Sequence, residues 1–137
     1  MPEDAPAIPG VGALDVRTVA GKRRFVGNLL VEADGGTLIG FENHSGKTYL
    51  GPGARPLGRV QVGGGNNGED KTEGAVQGKV IGCYLHGSLL PKNPWLADRL
   101  ITWALERRHG AVELAPLDDA AEALAHEQAT EVARARR

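Results

Sequence analysis

Side chains able to move a proton or attack a carbonyl are few: His44, His86, His109, His126 and a single cysteine, Cys83. A thiol beside an imidazole is the pairing for nucleophilic acyl transfer, so the spacing of Cys83 and His86 decides what chemistry this chain can do unaided. In an extended strand, residues three apart face opposite sides and lie about 10 Å apart, against the roughly 3 Å that a nucleophile and its base require. Cys83 is therefore expected to be a buried strand residue with no catalytic part. His109 and His126 fall at the end of one expected helix and inside another, where solvation or helix-dipole compensation is the expected role. His86 differs. It follows a strongly apolar run and precedes Gly87-Ser88, so a rigid strand ends and a loop begins at the imidazole, which is where open α/β sheets bind ligands. A satisfied core histidine fits the same position.

Two glycine patterns suggest phosphate and fail on spacing or context. Gly63-Gly64-Gly65-Asn66-Asn67-Gly68 satisfies G-x-G-x-x-G after a predicted strand, but Glu69 to Gly74 carries no apolar period. No helix N-terminus would point at a pyrophosphate, and two carboxylates would repel it, so a turn is expected. Gly40 to Thr48 has five residues where a P-loop has four before Gly-Lys-Thr, which redirects every amide of the cradle; Lys47 and Thr48 are given no nucleotide role.

These residues sit on a chain of 137 residues, long enough for one core, with a formal net charge of −1 and charges intermixed. Neither a nucleic-acid footprint nor a field for acidic substrates is legible. One cysteine makes no internal disulfide, and no basic segment followed by an apolar run opens the chain, so the cytoplasm is the expected compartment. The apolar stretches are far shorter than the roughly 20 residues that cross a bilayer. The sequon Asn43-His44-Ser45 has no meaning there. Residues 1–10 read as a turn-rich linker, as a chain looks when cut between elements, and a late-started reading frame is entertained on that ground.

Short β-favouring runs at 13–19, 25–31, 37–41 and 59–62 alternate with glycine and polar turns. A hairpin is expected from 74–76 and 79–85 around Gln77-Gly78, its second strand apolar enough to be buried on both faces. Asn93 as cap, Pro94, and Leu96, Leu100, Trp103 and Ala104 at helical spacing predict a helix closed by Arg107, Arg108 and a left-handed Gly110. A second helix, about 118–136 with a modest stripe at Ala121, Leu124, Ala125 and Val132, is expected to be peripheral. The strand-then-helix order alone would give α+β, and the crossover helices of a larger α/β unit are missing.

Residue context adds a resemblance. The string from Tyr84 to Pro94 (YLHGSLLPKNP) resembles the catalytic-histidine segment of class I glutamine amidotransferases of the cobyric acid synthase (CobB/CobQ-like) type. Gly40 to Tyr49 (GFENHSGKTY) is similar to that family's glutamate and histidine segment, and Gly64 to Lys71 (GGNNGEDK) to its asparagine-rich loop, in the same order and spacing. The LPKNP ending and the GNN loop look like the branch comprising glutaminase subunits of lipid II isoglutaminyl synthase. The resemblance runs from about Ile8 to Glu106.

It implies an α/β fold, this chain being the β-rich, C-terminal portion of a class I amidotransferase (flavodoxin-like) domain ending in two helices. Residues 1–110 would belong to the domain and 111–137 to a peripheral helical tail. It implies that His86 is the general base of a cysteine-histidine pair and that Arg24 holds the glutamine, its guanidinium fork suiting a carboxylate. Arg23 beside it leaves that register open by one, and a solvated strand start explains both arginines equally. His44 is a secondary candidate, expected to support the fold near the site. The family's nucleophile lies on a tight strand-to-helix turn upstream of everything here, so this chain would hold no nucleophile and would be inactive alone. Ser88 stands where other amidotransferase classes carry a glutamate two residues beyond the histidine. The implied partner is a Mur ligase-like catalytic subunit in a heterodimer, which amidates the D-glutamate of lipid II with ammonia released from L-glutamine. No cofactor or metal is expected in this subunit; ATP and magnesium belong to the ligase. Two alternatives stand: a cobyric acid or cobyrinic acid diamide synthase-type domain, and a degenerate module that only docks on a ligase.

Overall fold

The computed structural model describes residues 7–135. Its centre is a long antiparallel hairpin, β1 (Val16–Ala33) and β2 (Gly36–Leu50), closed by a two-residue Asp34-Gly35 turn of the kind whose chemistry favours tight hairpins. β3 (Gly58–Val62) and the two-residue β4 (Thr72–Glu73) extend it into a four-stranded sheet of order β2-β1-β3-β4, in which every pairing is antiparallel. β5 (Ala75–Gln77) and β6 (Val80–Gly82) form a separate small hairpin. Helices α1 (Leu89–Lys92), α2 (Pro94–His109) and α3 (Ala120–Ala135) complete a mixed α/β architecture. No helix among the described residues is long and apolar enough to cross a membrane.

The runs expected at 13–19 and 25–31 are one strand. Gly21 to Arg24 lacks apolar alternation, yet the backbone continues through it with a register shift between Ala20 and Phe25, a bulge that bends β1 without ending it. The run at 37–41 likewise continues through the near-P-loop segment to Leu50, so Lys47 and Thr48 lie on a strand and no phosphate cradle exists.

The middle of the hairpin is buried on both faces. One face joins Leu29, Val31 and Leu38 to Leu57, Val76, Leu85 and Leu96; the other joins Leu30 and Ile39 to Ala133. Withdrawing each large aliphatic side chain from water contributes about 1.5–3 kcal/mol. On the second face α3, expected to be peripheral, lies on the sheet through Ala129 and Ala133. His126, expected to be solvated, bonds Thr37 Oγ1 through Nε2 (2.8 Å) and Lys92 O through Nδ1 (2.7 Å). Small alanines allow the close approach, and an alanine stripe is a weak signal of burial.

Because β2 is an edge strand, its outward backbone groups need partners. They find them at alternate residues. Trp95 Nε1 donates to Thr37 O (3.1 Å), the Asn93 side chain accepts from Ile39 N (2.8 Å) and donates to Ile39 O (3.0 Å), and His86 N donates to Phe41 O (2.7 Å). Asn93, fully buried, flanks α2 as expected but makes no side-chain cap; its amide is spent on the strand. Gly110 closes α2 with φ 78 and ψ −155, a glycine conformation outside the left-handed helical well.

Candidate functional site

His86 sits where the chain crosses from the small hairpin to the main sheet, and its ring is exposed, tilted against Phe41 with centroids 5.7 Å apart. Gly87 and Ser88 follow at φ 54 and 46, two left-handed residues that turn the chain sharply into α1. A Cβ at Gly87 would stand 2.6 Å from Phe41 Cε1, so the turn beside His86 needs glycine for space as well as for φ.

Side chains two apart on a strand share a face, so Phe41 and Asn43 project together, with Asn28 and Val26 opposite them on β1. Arg24 joins this face: its Nε donates to Asn43 Oδ1 at 2.8 Å. Arg23 turns the other way, its guanidinium 5.5 Å from the Phe25 ring centroid. The geometry thus separates the two arginines, and Arg24 is the one on the face that carries Phe41 and His86. Both arginines border an open cavity of about 910 Å³, whose wall includes Glu42, Gln61 and Gly64. On the same strand face Val26 and Phe41 leave large apolar area uncovered, 68% and 41% exposed.

His44 faces the opposite side of β2. It is buried and stacked on Tyr84 (3.5 Å between centroids, 7° between planes), with Nδ1 bonded to Gly46 O at 2.9 Å. Its Nε2 makes no hydrogen bond and stands 3.5 Å from Glu42 Oε2. The structure separates His44 from the His86 face by the thickness of the strand.

Glu42 explains why the G-x-G-x-x-G segment takes no phosphate. Its buried carboxylate accepts from Gly64 N (2.7 Å) and Gly65 N (3.0 Å), so the glycine-loop amides already hold an anion from within the chain. Asn66 and Asn67, almost fully buried, tie the same loop down. Asn66 bonds Thr72 and Gly74, while Asn67 bonds Thr48 O, Asp70 and the amides of Glu69 and Asp70. The expected turn is present, and sequence reasoning missed its internal counter-ion.

Cys83 departs from expectation. β6 ends at Gly82 because the segment then leaves its only partner strand, so Cys83 is exposed, on the rim of a shallow pocket of about 160 Å³ lined by Leu14, Val16, Ala75 and Tyr84. Val80 is exposed too, and the strand expected to be buried on both faces is a short edge. Although the residue is exposed, its thiol is turned partly out of water toward Leu85 O, and that desolvation, with the Glu73 charge second, pushes it up to about 11. A thiol so held is protonated at neutral pH and is a poor nucleophile. Alkylation by iodoacetamide at pH 7.5 is expected to run roughly 10²-fold slower than for free cysteine; a rate equal to free cysteine's would refute the assignment.

Glu73 is fully buried, accepts from Tyr84 N at 2.6 Å and leaves Oε2 without a partner. Desolvation raises its carboxyl from 4.5 to about 7. The folded state then holds more protons than the unfolded one between those values. Stability is full below pH 4.5 and falls as pH rises to 7, by about 3 kcal/mol in all. Glu73→Gln is expected to flatten this dependence; urea midpoints at pH 5 and pH 8 that still differ as in the parent would count against it. No group of three His, Cys, Asp or Glu side chains able to hold a metal ion occurs among the described residues.

Comparison with known proteins places this arrangement. Residues 2–94 match the CobB/CobQ-like glutamine amidotransferase domain. The chain is 42% identical over 120 residues to the lipid II isoglutaminyl synthase (glutamine-hydrolyzing) subunit GatD of Staphylococcus aureus (strain N315), covering 87% of this chain and 49% of that protein. It is 40% identical over 106 residues to GatD of Streptococcus pneumoniae (strain ATCC BAA-255 / R6), covering 75% and 41%. It is 39% identical over 115 residues to the cobyric acid synthase of Pelotomaculum thermopropionicum, covering 75% and 21%. The chain spans about half the length, or less, of the relatives it matches. With the family's domain matched over most of its length, this chain belongs to the CobB/CobQ-like glutamine amidotransferases.

Proposed function

We propose that this chain is the histidine-bearing, C-terminal part of a glutaminase subunit of the lipid II isoglutaminyl synthase type. The observation that carries the reading is His86 at the sheet's edge, on a face shared with Arg24, which itself borders an open cavity, in a chain 42% identical to a GatD subunit. In this reading a cysteine outside these 137 residues attacks the side-chain amide of glutamine. His86 takes the thiol proton and returns it to the departing ammonia, leaving a thioester that water hydrolyses to glutamate. Arg24 receives the glutamine α-carboxylate through a two-pronged guanidinium contact. Cys83 lines the small pocket of Leu14, Val16 and Tyr84 and not the cavity that Arg24 borders, which supports a nucleophile from elsewhere.

The ammonia would pass to a Mur ligase-like partner in the cytoplasm, a heterodimer in which the partner uses ATP and magnesium to amidate the D-glutamate of lipid II. The slightly higher identity to the two GatD subunits, 42% and 40%, than to the cobyric acid synthase, 39%, supports this acceptor over a corrinoid. The test is release of glutamate and ammonia from glutamine, by the chain as given and by a form that includes a cysteine-bearing segment, each beside His86→Ala. Release only with that segment, lost in the variant, is expected. Release by the 137 residues alone, or release that survives the variant, would overturn the reading.

A further inference from the structure

We propose that Asn93 is the residue that positions His86, by clamping the loop between them onto the edge of β2. The proposal rests on the reading of His86 as the base, and nothing in the comparisons assigns Asn93 a role.

Among the described residues the His86 ring makes no hydrogen bond and is exposed, so its direction follows from where the backbone puts it. That backbone is held at two points on one strand. His86 N donates to Phe41 O, and seven residues later the Asn93 amide grips both backbone groups of Ile39. Phe41 and Ile39 are neighbours on the same edge, about 7 Å apart along the strand. The intervening loop is thus closed at both ends over a short span, entered through two left-handed residues and completed by α1. Asn93 Nδ2 also donates to Leu89 O at 2.6 Å, which fixes the start of α1 against the same clamp. Every donor and acceptor of this buried amide that reaches a partner acts on the His86 loop or on the strand beneath it. Aliphatic burial of Leu96 holds α2 in place but does not set the register of the loop on β2.

Without the Asn93 amide, the loop would be left with the backbone bond of His86 at one end and, at the other, the Trp95 Nε1 bond to Thr37 O and the His126 bond to Lys92 O, none of which reaches Ile39. A shift of about 1 Å in a proton-transfer group costs on the order of 10²-fold in rate. Arg24 and Asn43 lie outside the clamp, so glutamine binding should be spared.

Amide exchange by NMR tests this on the chain itself. In the parent protein His86 and Ile39 amides belong to one opening unit and are expected to show protection within about tenfold of each other. If His86 opens more than about 100-fold more readily than Ile39, the clamp does not hold it and the proposal falls. In Asn93→Ala, His86 protection is expected to drop at least about tenfold while the Val60 amide, bonded to Lys71 O on the far side of the sheet, keeps its own. Unchanged His86 protection in that variant, folded, also overturns the proposal. Should the variant not fold, the parent comparison decides. In the glutamine-hydrolysing form, Asn93→Ala is expected to lower kcat about 10²-fold with KM little changed; an equal rise in KM would make the role structural and overturn positioning. If His86→Ala leaves hydrolysis intact, the glutaminase reading fails, and the clamp stands or falls on exchange alone.

Discussion

Replacing Glu42 with alanine is expected to destabilise the fold by about 3–4 kcal/mol, a downward shift of the urea midpoint by about 1–2 M. The carboxylate satisfies the buried amides of Gly64 and Gly65, and each unpartnered buried donor costs about 1–3 kcal/mol. Gly64 and Gly68 pack so tightly on Phe25 that a Cβ at either would stand 2.3 and 2.7 Å from the ring, so the loop has little room to rearrange around the lost carboxylate. Glu42→Gln retains one acceptor oxygen and should lose about half as much. A Glu42→Ala midpoint within about 0.3 M of the parent would mean that the loop finds other partners.

His86→Ala is expected to lower kcat for glutamine hydrolysis by roughly 10²–10⁴-fold, the usual worth of positioned proton transfer, in the form that hydrolyses glutamine. The variant isolates chemistry from folding unusually well. The structural bond of His86 comes from its backbone N–H, which alanine keeps, and the ring is exposed, so the melting temperature should barely move. A fall in rate accompanied by an equal fall in stability would point to folding; hydrolysis within twofold of the parent would remove His86 from the mechanism.

Local signals carried part of this molecule. Pro94 at the start of α2, its basic last turn and Gly110 after it are near-neighbour features, and that helix lies where the pattern puts it. The strands were legible as apolar runs, but their true length was not, because Gly21 to Arg24 and Asn43 to Lys47 are polar. The polar residues of β2 do alternate: Glu42 and His44 are buried while Asn43 and Ser45 face outward. Period-two burial written in polar residues escapes a hydrophobic reading. Asn93 shows the harder limit. Its type suits a cap, yet its amide is used by Ile39, 54 residues away, a demand no local window contains. The placement of α3 was hidden for a related reason, since alanines that fit close to a sheet look the same as alanines facing water. Of the candidate site, His86 stood out by position and Arg24 only through family resemblance; that Arg23 and Arg24 turn to different partners was not legible, since it depends on the side chains of Asn43 and Phe25.

The covered edge of β2 has a consequence for selection on this protein. A 15-residue strand with a bare edge is a template for adding strands from other molecules, which is how aggregates begin. Here the guard is the loop and helix start carrying His86, Asn93 and Trp95, so the segment that presents the imidazole also covers the edge of β2. Substitutions at Asn93 or Trp95 should therefore surface first as insoluble protein in the cell, before any assay of glutamine is run. Variants selected only for solubility would keep the histidine's platform intact, whatever the imidazole does.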